Sequence, residues 1–301
     1  MVRKSTLALS LLTATVITVP FGAAIAAGPP IAYARQSGSA FDLYLANANG
    51  TGTIKLYSGP AKNTLNVDMN PATGGGNELA VVESRSTGFK IIRYNDAGGG
   101  RTVTPFNDGC WVDSLDYHPS NSSLLIIRRC SNPQTVEIRV WSNGAYGPAI
   151  ASTDGQNDSY SSARWLGDGS GFLVRYGNVA SGTEIQRRNM SNPSAPTTVW
   201  ADPNLGAAMS FDTARCSGAL ESNCMKFLYY DGLALREVQY DDVGEVSDNP
   251  VISGWGGRYS PDNSRVLYRV QVKGGYTLNV TNPAQTTAAK GDIIGGFDWR
   301  P

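Results

Sequence analysis

The chain has 301 residues, with 34 glycines, 16 prolines, only 17% charged residues and no net formal charge. Balanced charge argues against a nucleic-acid or anionic-lipid partner held by bulk electrostatics. Because no long segment shows the 3.6-residue apolar period, we predict an all-β protein of many short strands joined by turns.

The first 26 residues have the organisation of a secretory signal peptide. Arg3 and Lys4 form a basic start, the apolar run from Leu7 to Val19 is too short to span a bilayer, and Ala24-Ile25-Ala26 is a small-residue cleavage site. We expect cleavage after Ala26, Sec export to the periplasm or the medium, and a mature domain of residues 27–301. No later apolar run is long enough to cross a membrane. Since Arg3 and Lys4 are two of 25 basic residues, the mature chain has 23 basic and 25 acidic residues.

A strand–turn–strand unit recurs along the mature chain with nearly constant spacing. The best copy is Arg258 to Tyr268, where an aromatic strand end, a Pro-Asp-Asn-Ser turn and a β-branched strand follow one another. The equivalent turns, at positions 71, 119, 167, 213 and 261, lie 48, 48, 46 and 48 residues apart. Each interval has room for four strands, and four strands in a repeat of roughly 40–50 residues are typical of β-propeller blades.

The two ends of the chain supply one further blade. Three strand-like segments, Ile31–Gln36, Phe41–Ala46 and Ile54–Tyr57, have no first strand before them, whereas 297–301 resembles a first strand that stops at its turn. Joined, they would close the ring non-covalently and protect its edges. We therefore predict a six-bladed β-propeller of four-stranded antiparallel blades, with its C-terminal strand in the N-terminal blade. The predicted blades are 31–59 plus 293–301, 64–107, 110–153, 159–201, 206–253 and 255–292.

All four cysteines lie in the exported part, where disulfides persist, and four cysteines allow three pairings. In an antiparallel hairpin the residue numbers of facing partners have a constant sum. Around position 119, where Tyr117 should face Leu124, that sum is about 241. Cys110 and Cys130 add to 240, so they should lie opposite one another. Cys216 and Cys224 bracket an insertion in the fifth turn. We predict the disulfides Cys110–Cys130 and Cys216–Cys224, because the spacings do not suit zinc.

Little in the sequence points to catalysis. The single histidine, His118, occupies a hairpin-turn position, and no Gly-x-Ser-x-Gly elbow, Walker loop or dinucleotide motif accompanies it. We therefore expect no enzyme activity, no cofactor and no bound metal. The alternatives are a propeller enzyme that acts on a carbohydrate or lactone through channel carboxylates or a metal, and a structural scaffold.

Two series of side chains follow the predicted first strands. The aromatic series, interpreted as packing between blades, is Tyr117, Trp165, Phe211, Tyr259 and Trp299. The residue before each aromatic should face the central channel, because successive side chains of a strand point to opposite sides. These residues, which we call the collar, are Asp68, Asp116, Arg164, Ser210, Arg258 and Asp298. The collar could bind a peptide or small polar ligand, or it could be an internal ionic network that closes the channel.

The repeat resembles that of the TolB-type propeller family, a WD40-like repeat with an aromatic-Ser-Pro-Asp-Gly turn. The matching residues are Tyr259-Ser260-Pro261-Asp262-Asn263 with Val266-Leu267-Tyr268, and the strand and turn from Phe41 to Gly50. The resemblance covers essentially the whole mature chain, but His118, Leu166 and Thr213 replace motif residues in other copies. In TolB proper, the propeller docks a peptidoglycan-associated lipoprotein at its funnel and follows an N-terminal α/β domain.

The resemblance implies a protein- or peptide-binding module in the cell envelope or outside the cell. We expect the additional α/β domain to be missing here, because the repeats begin directly after the signal peptide. We expect a monomer that binds an envelope protein or peptide and no nucleic acid.

Overall fold

A computed structural model describes residues 31–71, 77–94, 102–204, 210–214, 225–241, 244–281, 286–291, 293 and 295–299. These residues form six four-stranded antiparallel sheets arranged as the blades of a propeller. The predicted fold class is therefore confirmed. The predicted signal peptide lies outside the described residues. Within the described ranges, no helix is long and apolar enough to cross a membrane.

Blades 1 to 3 contain the following strands, given in chain order. Blade 1 consists of β1 (Ile31–Ser37), β2 (Ala40–Ala46), β3 (Ile54–Ala61) and β24 (Phe297–Trp299). Blade 2 consists of β4 (Leu65–Met69), β5 (Asn77–Glu83), β6 (Phe89–Tyr94) and β7 (Thr102–Phe106). Blade 3 consists of β8 (Trp111–Tyr117), β9 (Leu124–Ser131), β10 (Gln134–Ser142) and β11 (Ala145–Thr153).

Blades 4 to 6 continue the same order. Blade 4 consists of β12 (Asp158–Trp165), β13 (Gly171–Asn178), β14 (Gly182–Asn189) and β15 (Asn192–Asp202). Blade 5 consists of β16 (Phe211–Thr213), β17 (Lys226–Tyr230), β18 (Leu235–Tyr240) and β19 (Glu245–Ile252). Blade 6 consists of β20 (Trp255–Tyr259), β21 (Val266–Val272), β22 (Gly275–Val280) and β23 (Thr286–Ala289).

The ring closes through the two ends of the chain, as predicted. Strand β24 pairs with β1 in antiparallel register, with Ile31 opposite Trp299 and Tyr33 opposite Phe297. Each blade's first strand contacts the first strand of the next blade, in the order β24, β4, β8, β12, β16, β20 and back to β24. The six first strands therefore surround the central channel.

The hydrophobic core lies between blades, and the aromatic series is part of it. Tyr117 packs with Ala80 and Ile91 of the preceding blade, and its hydroxyl donates a hydrogen bond to Glu78 Oε1 at 3.0 Å. Burial and the negative charge of Glu78 raise the pKa of Tyr117, so the hydroxyl stays protonated and remains a donor. Trp299 is fully buried against Leu267 of blade 6.

The turn of the best repeat copy is held by its own side chains. Asp262 Oδ1 accepts hydrogen bonds from the Ser260 hydroxyl at 2.5 Å and from the Ser264 amide at 3.1 Å. Asn263 adopts a left-handed backbone with φ 55°, which asparagine tolerates better than most residues. The hydrogen bonds from Ser260 and Ser264 lower the pKa of Asp262 to about 2. The turn is therefore specified locally, which explains why the motif recurs.

The Cys110–Cys130 disulfide is present, with the two Cα atoms 4.5 Å apart. A bulge between Val112 and Ser114 shifts the β8–β9 register by one residue, so Trp111 faces Arg129. This shift places Cys110 opposite Cys130, which explains why their numbers add to 240 instead of 241. The second predicted pair, Cys216–Cys224, lies outside the described residues.

Candidate functional site

The first strands place the collar residues around the channel, with one change in register. Asp68, Asp116, Arg164 and Arg258 each occupy the next-to-last position of a first strand, and Asp298 occupies the same position in β24. Asp68, Asp116, Arg164 and Asp298 are at most 9% exposed. The side chain of Arg258 is 13% exposed.

In blade 5 the collar position belongs to Asp212, not to Ser210. Asp212 pairs with Leu228 and Thr213 with Phe227, as Asp116 pairs with Leu125 and Tyr117 with Leu124 in blade 3. The aromatic position of this blade is therefore held by Thr213, and Phe211 lies two residues earlier. The prediction was wrong here because an alignment on aromatics selected Phe211.

The four collar aspartates join neighbouring blades. Each carboxylate accepts a hydrogen bond from the main-chain amide of the residue that follows the collar position in the next blade. The pairs are Asp298 with Met69 (2.8 Å), Asp68 with Tyr117 (2.6 Å), Asp116 with Trp165 (2.5 Å) and Asp212 with Tyr259 (2.9 Å). Since all four carboxylates are buried, these charge-assisted bonds satisfy amides that water does not reach.

The two collar arginines occupy the remaining positions and point back to the preceding blade. Arg164 Nη1 donates to the carbonyl of Leu115 at 2.9 Å, and Arg258 Nη1 donates to that of Phe211 at 3.3 Å. Arg164 lies 3.8 Å from Asp116 and 3.7 Å from Asp212, and Arg258 lies 3.8 Å from Asp298. The collar therefore combines ionic contacts with main-chain hydrogen bonds around the channel.

The charge balance differs between the two arginines. Burial disfavours the charged form of Arg164, but the surrounding carboxylates, led by Asp116, outweigh it and raise the pKa. At Arg258, burial and the positive charge of Arg164 outweigh the carboxylates and lower the pKa below its ordinary value. The positive charge of Arg258 is thus the less compensated of the two.

A polar cavity of about 240 Å³ lies beside the collar. The predicted collar residues Arg164, Ser210 and Arg258 line it. The other polar lining residues come from the earlier parts of the first strands: Asn66, Asp113, Ser114, Ser161 and Ser162. Because Asn66 and Asp113 are exposed, the cavity opens toward the side of the ring where the first strands begin.

We call that side the channel face. In blade 4, Asp158 at the start of β12 pairs with Asn178 at the end of β13, so the β13–β14 loop also lies on this face. The same alternation applies to every blade. The channel face therefore carries the loops between the second and third strands as well as the starts of the first strands.

Exposed apolar side chains are concentrated on the channel face. Among the described residues, seven large apolar side chains are exposed, and five of them lie on this face: Trp111, Val179, Leu233, Val251 and Val272. Leu233 is 86% exposed and Val179 62%. The other two, Met190 and Val246, lie on the opposite face, beside the turns between third and fourth strands. Sequence reasoning missed this asymmetry.

An aromatic and arginine cluster also lies on the channel face, between blades 5 and 6. The guanidinium of Arg269 lies 4.5 Å from the ring centre of Trp255 and 5.5 Å from that of Tyr276. Trp255 stacks with Tyr230. Tyr230 is the last residue of β17 and immediately precedes the loop that contains Leu233. Burial lowers the pKa of Arg269. The cluster is a preformed half-buried surface of the residue types that dominate binding energy in interfaces.

His118 lies on the opposite face and has a packing role. Its ring meets the indole of Trp165 edge-on at 4.7 Å, and it is half-buried between blades 3 and 4. Burial lowers its pKa, against the opposing effects of a hydrogen bond at Gly169 and the charge of Asp168. Within the described part of the chain, no group of three or more His, Cys, Asp or Glu residues is placed to hold a metal ion.

Comparisons with solved structures show the same architecture. TolB from Acinetobacter baumannii superposes with a TM-score of 0.66 at 16% identity, covering 91% of this chain and 67% of that one. The chain has the fold of the TolB propeller. A putative TolB from Agrobacterium tumefaciens gives 0.60 at 11% identity, covering 88% of this chain and 92% of that chain. A chain of a nidogen/laminin complex gives 0.62 at 9% identity, covering 90% and 98%.

At these identities the likeness is one of fold. No protein-family model matches the sequence, and no curated protein matches it.

Proposed function

We propose that this protein is an exported, non-catalytic module that binds a protein or peptide partner on its channel face. One observation carries the proposal. The face into which the polar cavity opens also carries five of the seven exposed large apolar side chains of the described residues. Single exposed apolar residues are ordinary, but their concentration on one face is typical of an interaction surface.

The composition of this face suits a protein partner. Interfaces are enriched in tryptophan, tyrosine and arginine and combine an apolar area with polar groups. The channel face offers Trp111, Leu233 and the cluster of Trp255 with Arg269. The cavity that opens on the same face is lined by hydroxyls and guanidinium groups. Trp111, Trp255 and Arg269 lie on strands of the ring, so this part of the surface is formed before a partner arrives.

The collar favours binding over the alternative of a channel enzyme. An acid, base or metal-ligating carboxylate must be free to face a substrate. The four collar carboxylates instead accept main-chain amides of the neighbouring blade. We therefore assign the collar aspartates a structural role, and the binding role to Arg164, Ser210 and Arg258.

Export is supported by two features of the chain. Residues 1–26 have the composition of a signal peptide, and the Cys110–Cys130 disulfide suits an oxidising compartment. TolB and the nidogen/laminin complex support the proposal as proteins of the same fold, the second solved as a complex between proteins. We therefore place the partner in the cell envelope or outside the cell.

The test is comparative affinity capture. Residues 27–301 are immobilised and exposed to native envelope extract or culture medium, and the retained protein is identified and quantified. Leu233→Asp and Val179→Asp place a charge on the channel face. We expect each to reduce recovery of the partner by about tenfold or more, because burying an unpaired charge in an interface costs more than 1.4 kcal/mol.

The matched controls place the same charge on the opposite face. Met190→Asp and Val246→Asp alter side chains that are 37% and 62% exposed, and both should retain the partner as the unaltered protein does. The proposal would be overturned if Leu233→Asp and Val179→Asp recovered as much partner as the unaltered protein. It would also be overturned if the two controls lost the partner.

A further inference from the structure

The two collar arginines line the cavity and use only part of their hydrogen-bonding capacity. Their hydrogen bonds run through Nη1 alone, to the carbonyls of Leu115 and Ala163 for Arg164, and of Phe211 and Gly257 for Arg258. The nearest carboxylate oxygens lie 3.7–3.8 Å away, beyond hydrogen-bond distance. Arg164 is only 9% exposed, and its buried Nε has no hydrogen-bond partner.

The other polar groups of the cavity wall are mostly neutral donors. Four serines (Ser114, Ser161, Ser162 and Ser210) and the Asn66 amide line it with the two guanidinium groups. The one carboxylate in the wall, Asp113, is paired with Arg129 at 2.9 Å. Among the charged groups of the wall, the two arginines have the longer ion pairs, at 3.7–3.8 Å to collar carboxylates.

The acidic groups behind the wall are already engaged. Each of the collar carboxylates (Asp68, Asp116, Asp212 and Asp298) accepts a main-chain amide of the next blade. Their charges still reach both arginines, but burial and repulsion from Arg164 leave Arg258 with a lowered pKa. An added anion beside Arg258 would relieve that repulsion.

We propose that the channel cavity binds a carboxylate through Arg164 and Arg258. The guanidinium fork matches the two oxygens of a carboxylate, and the serine hydroxyls can donate to the same oxygens. The inference rests on the proposed function, because it names the chemical group that the partner presents at the channel face: an acidic side chain or a C-terminal carboxylate. A free small carboxylate has the same chemistry, and the experiment distinguishes the two sources.

The test uses succinate as the probe, measured by isothermal titration of residues 27–301 in a carboxylate-free, low-chloride buffer. Succinamide is the neutral control of matched shape, and putrescine is the cationic control of similar length. We expect saturable binding of succinate in the millimolar range. We expect no binding of succinamide or putrescine. Arg258→Gln should weaken succinate binding by about tenfold or more, since it removes a charged donor to the carboxylate.

A second variant separates the cavity from the general charge of the face. Lys273→Gln removes an exposed cation from the β21–β22 loop and should bind succinate as the unaltered protein does. Absence of saturable succinate binding to the unaltered protein would overturn the inference without reference to any variant. Binding of putrescine in place of succinate would also overturn it. So would a loss of succinate binding in Lys273→Gln as large as that in Arg258→Gln.

Competition identifies the source of the carboxylate. If excess succinate and Arg258→Gln both reduce capture of the partner, the partner supplies the group. If succinate binds but capture is unaffected, the site takes a free small carboxylate, and the partner is not its source. If succinate binds and no partner is captured, the carboxylate site stands and the proposed function fails.

Discussion

Replacement of Asp116 by alanine tests the collar as the structural ring of the propeller. In the folded protein, Asp116 Oδ2 accepts the Trp165 amide at 2.5 Å, and Oδ1 lies 3.8 Å from Arg164. The alanine variant leaves a buried amide without an acceptor, which costs about 1–3 kcal/mol. Arg164 also loses one of its two carboxylates, although Asp212 remains at 3.7 Å. We therefore expect the free energy of unfolding to fall by about 3 kcal/mol.

Two further variants separate the causes. Asp116→Asn keeps an oxygen that can accept the Trp165 amide but removes the charge, so we expect a loss of about 1–2 kcal/mol. Asp113→Ala removes a carboxylate from the same strand, where Asp113 and Arg129 are both 28% exposed at the side chain. A solvent-exposed pair contributes about 0–1 kcal/mol, which makes this variant the matched control.

The assay is urea denaturation followed by tryptophan fluorescence. With an m value of about 3 kcal/mol/M, the Asp116→Ala midpoint should fall by about 1 M at unchanged slope. A midpoint within 0.3 M (about 1 kcal/mol) of the Asp113→Ala midpoint would refute the structural role of the collar.

Three further predictions concern local features. Replacing Cys110 and Cys130 together by serine opens a loop with a sequence separation of 20. The free energy of unfolding should fall by about 3 kcal/mol, measured by the same denaturation. An unchanged midpoint would contradict this. Gly169→Ala should destabilise the protein by at least 1 kcal/mol more than Gly144→Ala. Both glycines have positive φ, but only at Gly169 would the added methyl lie 2.5 Å from the His118 ring.

The single His118 ring should titrate below pH 6.5 by NMR, because burial favours its neutral form. Its stabilising contribution is then present above pH 6.5 and is lost as pH falls through the lowered pKa, so His118→Gln should reduce the stability difference between pH 7.5 and 5. A measured pKa above 6.5 would contradict the packing described.

The fold followed from the sequence because each blade carries its own local specification. The turn at Ser260 to Ser264 is held by side chains within it, so its chemistry repeats wherever the turn repeats. Ring closure was predictable for a related reason. Three strand-like segments after Gly28 have no first strand before them, and Phe297–Trp299 supplies it.

The collar was predictable except where local pattern and pairing disagree. Asp68, Asp116 and Asp212 are spaced by multiples of 48 residues, so an alignment on the acidic position would have found Asp212. The aromatic alignment selected Phe211 because Thr213 is not aromatic. Pairing of β16 with β17, a contact across the 215–224 insertion, decides the register, and such a contact leaves no periodic signal in the chain.

The cavity and the apolar residues of the channel face depend on tertiary placement. Ser114 and Ser161 are unremarkable in sequence and become neighbours only when blades 3 and 4 pack together. Leu233 and Val179 lie in hairpin loops, where the sequence predicts a turn but does not predict 86% and 62% exposure on a common face.

Hydrogen–deuterium exchange on the captured complex is the most direct test of the binding face. If the partner binds as proposed, its presence slows exchange in the loops 178–182, 231–234 and 272–275, which lie on the channel face. Exchange in the turns 142–145 and 189–192, on the opposite face, should be unchanged. Slowed exchange confined to those opposite turns would contradict the account.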